Sequence, residues 1–151
     1  MRRTVVSVLE LKDFFDTGDV ADLAISAFEE RYYLFFEMLS YTDDRDYIIK
    51  QINNVWKQAN KLASSPDIKL KNSALFDKVQ KILNQVYVLQ VNLELSTNVF
   101  RRFKIKWRLY WLEQKEVLLV DVLCYAIVNH PDKTEEAKKF IIEYIEDRFN
   151  N

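Results

Sequence analysis

Residues 72–129 read NSALFDKVQKILNQVYVLQVNLELSTNVFRRFKIKWRLYWLEQKEVLLVDVLCYAIVN, 58 residues without one glycine or proline. Strand-rich folds need frequent turns, and turns draw on glycine and proline, so a stretch this long without either reads as helix. Phe76, Val79, Leu83, Val86, Leu89 and Leu93 recur at three- and four-residue spacing and lay one apolar stripe along its first part. Ser96-Thr97-Asn98 then groups three side chains that compete with the helix for backbone hydrogen bonds. That predicts a break or kink there, with a second helix from about Thr97 to Val128. Within it, Val117–Val128 is the most apolar part of the chain, with Asp121 its only charge. Twelve residues are too few to span a bilayer, so this segment is either the central helix of a bundle or a face shared with another protein.

Outward from this stretch the signals repeat. Ser64-Ser65-Pro66-Asp67 cannot continue a helix, because Pro66 lacks an amide proton and disfavours helical angles at Ser65, so residues 64–71 are expected to form a loop between antiparallel helices. Before it, Thr42-Asp43-Asp44 is a start signal, and Ile48, Ile52, Val55, Ala59 and Leu62 mark a helix ending near Ala63, with Ile49 and Trp56 beside the stripe. Asp19 and Asp22 open an earlier helix that Ala24, Phe28, Tyr32, Phe35 and Leu39 carry to about Ser40. Val5–Phe15 fits a short helix or an extended arm, and helix is the favoured reading. Asn129-His130-Pro131-Asp132 ends the long segment. Asp132 with Glu135 fits a reciprocal capping pair for a last helix that turns Ala137, Phe140, Ile141, Tyr144 and Ile145 inward and ends near Arg148.

The expected fold is therefore all-α: an antiparallel bundle of four to six helices forming one domain over residues 1–151, with 1–16 a possible short helix or arm. A chain of 151 residues with 49% hydrophobic and 14% aromatic content can bury one sizeable core without disulfides or metals. Cys124 has no cysteine to pair with, and its apolar neighbours point to a buried, reduced thiol. The basic N-terminus leads into Glu10, Lys12 and Asp13 rather than an apolar signal stretch, which suggests a cytoplasmic protein without membrane association. Scarce Cys, His and Met beside many Ile, Lys, Glu and Tyr resemble heat-adapted usage.

Enzymatic motifs find little support. His130 is the only histidine, so bundle metal sites that pair carboxylates with histidines lack their ligands, and a loop or capping role explains a histidine before Pro131. A single glycine excludes a glycine-rich phosphate loop, and no serine sits in a nucleophile elbow. The paired carboxylates Glu29 and Glu30, Asp43 and Asp44, and Glu135 and Glu136 fall at helix starts or on polar faces, where solvation and the helix dipole account for them. The expectation is no enzyme, no metal, no cofactor and no small-molecule substrate.

Charge placement is the informative feature. The net charge of −1 conceals −5 over residues 1–50, +8 over 51–115 and −4 over 116–151. The densest cluster, Arg101 to Trp111, interleaves five cations with four rings. On a helix Arg101, Lys104, Arg108 and Lys115 share one face, and Phe100, Phe103, Trp107 and Trp111 a neighbouring one, so the rings can be core while the cations meet a partner. The candidate binding residues are Arg101, Arg102, Lys104, Lys106, Arg108, Trp111 and Lys115, extended by Lys69, Lys71, Lys78 and Lys81 if the preceding helix lies alongside. Three roles stay open: pairing with acidic helices of the same bundle, nucleic acid, or an acidic protein surface. The functional expectation is an accessory or regulatory protein docking onto a larger nucleoprotein assembly. The alternative is a self-assembling subunit whose acidic residues 1–50 meet the basic residues 51–115 of another copy.

Overall fold

The computed structural model describes residues 4–33 and 42–150. A strand β1 (Val5–Ser7) and a 3-10 turn (Val8–Leu11) lead into seven helices among the described residues. These are α1 (Phe14–Thr17), α2 (Ala21–Arg31), α3 (Thr42–Ala63), α4 (Ile68–Leu95), α5 (Val99–Glu113), α6 (Leu119–Asn129) and α7 (Pro131–Asn150), with β2 (Glu116–Leu118) between α5 and α6. The architecture is the expected all-α bundle. Phe35, Leu39 and the end of the second helix near Ser40 lie outside the described residues.

α6 is the central helix. It packs on α3, α7 and α4, and Leu119, Val122, Leu123, Cys124 and Ala126 are buried around it. Facing it, α3 buries Ile48, Ile52, Trp56 and Ala59, and α7 buries Ala137, Ile141 and Ile145. Each large aliphatic side chain removed from water in this way contributes roughly 1.5–3 kcal/mol. Phe140 is an exception to the inward reading of α7: it is 52% exposed. Pro131 takes the first helical position of α7, so Asp132 sits within the first turn rather than capping it with Glu135.

Three backbone expectations change. The loop after α3 is shorter than 64–71, because α4 already begins at Ile68. Val5–Phe15 is not one helix: its first residues pair antiparallel with β2, matching Val5 to Leu118, Val6 to Val117 and Ser7 to Glu116, and only the 3-10 turn and the start of α1 are helical. The helix expected from Thr97 to Val128 is divided at 114–118 by that same β2. So small a ladder is marginal alone, and it holds here because Val6 and Val117 bury their side chains in the core. The division also turns α6 back onto α3, whereas a continuous helix would carry its apolar residues away from the bundle.

A knot of contacts joins α1, α6 and α7. Gly18 ends α1 at φ 70° and its amide donates to the Phe14 carbonyl at 2.7 Å. The His130 ring packs against Gly18 and brings Nε2 to 3.3 Å from the Phe15 carbonyl oxygen, a hydrogen bond when Nε2 carries the proton. Thr134, almost fully buried, donates from Oγ1 to the His130 carbonyl at 2.9 Å. The single histidine is thus a structural tie.

A second tie joins α2 to α7, where the Tyr144 hydroxyl donates to the Glu29 carboxylate and is held above its ordinary pKa chiefly by that bond. A raised folded-state pKa stabilises the fold below the unfolded value near 10, and that stability is lost as pH rises through the folded value. Tyr144→Phe is expected to cost about 1 kcal/mol at neutral pH. In thermal melts the gap from wild type should close above pH 10, and a gap that persists there contradicts this assignment.

Candidate interaction surface on the α4–α5 hairpin

The break after Leu95 creates a helical hairpin. Asn98 starts α5 as its N-cap, its Oδ1 accepting from the amides of Phe100 (2.9 Å) and Arg101 (3.2 Å). Arg102 closes the turn from the other side, donating from Nη1 to the carbonyls of Leu93 (2.6 Å) and Ser96 (3.0 Å). It therefore satisfies carbonyls at the end of α4.

α5 packs mainly on α4, through Ile105 and Leu109 with Leu112 beside them. These positions recur at four and three residues and define a narrow aliphatic seam. The rings lie elsewhere. Phe100 is 82% exposed, Phe103 66%, Trp107 57%, Tyr110 55% and Trp111 52%. The reading in which these rings are core is therefore overturned. By helical periodicity they form a stripe outside that seam, and Trp107 and Trp111 lie on its side nearer α4. Val99 and Leu95 extend the apolar surface towards the hairpin tip, both more than 75% exposed. Trp111 meets Trp107 edge-on at 5.9 Å and Tyr110 at 5.6 Å between ring centroids.

Arg101, Lys104 and Arg108 fall along one flank of the stripe and Lys106 along the other, with Lys115 just beyond the end of α5, all exposed. None of Arg101, Lys104, Arg108 and Lys115 has an ion pair with a described residue, which leaves the internal-pairing reading of the basic helix unsupported. Where the cationic flank meets α4, a groove of about 1050 Å³ opens. Trp107, Trp111, Leu112, Val88 and Leu89 give it an apolar floor. Lys81, Arg108 and Lys115 supply cations, with Asp77 and the amides of Gln80, Asn84 and Gln85 around them.

The hairpin thus brings together Lys81, Arg108, Trp111 and Lys115 of the residues expected from sequence, with Arg101 and Lys104 farther along the same flank. Lys69 lies in the first turn of α4, away from the groove, and Lys71 and Lys78 line a different cleft. Phe100, Phe103 and Trp107 are surface residues that a core reading concealed, and Tyr110 lies beside them. No protein-family model, curated protein or solved structure matches this chain. Among the described residues no helix is long and apolar enough to cross a membrane, and no cluster of His, Cys, Asp or Glu could hold a metal ion.

Proposed function

We propose that this chain is a non-enzymatic accessory protein that docks onto a larger assembly through the α4–α5 hairpin, taking an acidic, apolar-faced helix of a protein partner against α5. The observation that carries this reading is the exposed stripe Phe100, Phe103, Trp107, Tyr110 and Trp111 beside Arg101, Lys104 and Arg108. Contiguous apolar surface of this kind marks interaction sites, and aromatic and arginine side chains supply most of the energy in such contacts. A free helix groove with i, i+3, i+4 anchors suits a partner helix, and the cations favour one carrying carboxylates at its edges. Stacking of unpaired bases on Trp107 and Trp111 is the nucleic-acid form of the same surface, but five rings in one stripe exceed what phosphate contacts require.

Replacing Arg101, Lys104 and Arg108 together by Glu tests the reading. The triple variant is expected to keep its circular dichroism and melting temperature while losing affinity for a synthetic helical peptide with Leu on one face and Glu on its flanks. Wild-type affinity should fall with added salt. Unchanged peptide binding in the triple variant contradicts the proposal, as does wild-type protein that ignores the peptide but binds a single-stranded oligonucleotide or anionic vesicles.

Head-to-tail self-assembly is a second reading, favoured by the exposed carboxylates Glu10, Asp13, Asp16, Asp19 and Asp22 in the acidic N-terminal part. It predicts a mass that grows with concentration at low salt in light scattering, and a strict monomer there removes it.

A further inference from the structure

At the base of the hairpin, where the β1–β2 ladder meets α3, α4 and α6, lies a cleft of about 530 Å³ separate from the aromatic groove. Val5, Leu62, Ile68, Leu75, Val117 and Leu118 give it apolar walls. Asn72 also lines it, is only 7% exposed, and its Nδ2 has no hydrogen-bond partner among the described residues. Buried polar side chains are nearly always satisfied, and leaving an amide without a partner costs about 1–3 kcal/mol. A leucine of similar shape would avoid that cost. The charged groups lining the cleft cancel, Lys71 and Lys78 against Glu116 and Asp121. Cys124 lines the cleft too, and burial pushes its thiol up to about 11, so it presents a neutral wall at physiological pH.

We propose that this cleft binds a small neutral organic molecule whose apolar body carries one carbonyl or comparable acceptor, with Asn72 donating to it. Its volume falls within the range of about 300–1,000 Å³ typical of small-molecule sites, and one placed polar group among apolar walls is their usual composition. The broad terminal torsion of asparagine lets the amide turn to meet a bound acceptor. A ligand with net charge gains nothing from the balanced lining, which sets the class apart from the acidic partner of the hairpin.

The probes are cyclohexanone and cyclohexene, alike in size and differing in the acceptor. In nitrogen–proton correlation spectra of the full chain, cyclohexanone is expected to shift the Asn72 side-chain amide pair and the backbone amides of Ala74 and Val117 saturably. Cyclohexene should bind about tenfold more weakly, the ratio that one net hydrogen bond supplies. Asn72→Leu is expected to fold with unchanged or higher stability and to lose the preference for the ketone. No saturable shift at these positions, equal affinity of wild type for both probes, or a ketone preference that survives in Asn72→Leu would each overturn the proposal. The two-probe comparison on wild type decides the matter even if the variant does not fold.

Discussion

Trp107→Ala combined with Trp111→Ala is expected to weaken binding of an acidic amphipathic helix thirty- to a thousandfold while leaving the fold intact. Tryptophans at the centre of an interface commonly contribute about 2 kcal/mol or more each. The two rings touch edge-on at 5.9 Å, so their losses will not add fully. A combined loss of about 2–4 kcal/mol corresponds to that range of affinity. Stability should hold because both rings are more than half exposed, and alanine is the better helix former. Ile105→Ala is the converse control: Ile105 is buried against α4, and its truncation is expected to cost about 2–5 kcal/mol. Calorimetric titration and thermal melts of both variants separate the effects. A Trp107 and Trp111 double variant that melts early and binds normally would place the rings in the fold instead of at the interface.

Gly18→Ala is expected to destabilise the protein by about 3 kcal/mol, a large part of the 5–15 kcal/mol that typical domains possess. Two causes combine. Gly18 sits at φ 70°, where a side chain costs about 1–2 kcal/mol. A Cβ there would also lie 2.3 Å from His130 Cγ, so the ring must shift and strain its contact with the Phe15 carbonyl. For a chain of this length the loss corresponds to roughly 6–12 °C in Tm. A second substitution, His130→Ala, removes the obstacle but not the backbone strain, so the pair should be less destabilising than the sum of its parts. Strict additivity would show that the ring does not oppose the Cβ.

Local chemistry made much of this bundle legible. The start at Thr42, the end at Ala63, the break at Ser96-Thr97-Asn98 and the stop at Asn129 all rest on groups that act within a turn or two of themselves. The division at 114–118 does not, because its cause is pairing with β1, more than a hundred residues earlier in the chain. The surface on α5 was hidden for a related reason. The helix carries two apolar stripes, the aliphatic Ile105, Leu109 and Leu112 and the aromatic one around Trp107, and burial area alone favours the larger rings as core. Which stripe meets α4 depends on α5 having little else to pack on, a property of the whole arrangement. The cationic flank, by contrast, follows from periodicity within α5 for Arg101, Lys104 and Arg108, whereas Lys115 lies beyond the end of that helix.

The most direct test of the hairpin as a docking surface is a titration of nitrogen-labelled protein with the Leu- and Glu-bearing helical peptide, read at the three tryptophan indole resonances. Trp107 and Trp111 lie on the hairpin, and Trp56 is buried in α3 and serves as an internal reference. Saturable shifts of the Trp107 and Trp111 signals with Trp56 unmoved are the predicted result. Signals of Trp107 and Trp111 that stay in place while the peptide binds elsewhere, or that move only with a single-stranded oligonucleotide, would contradict it.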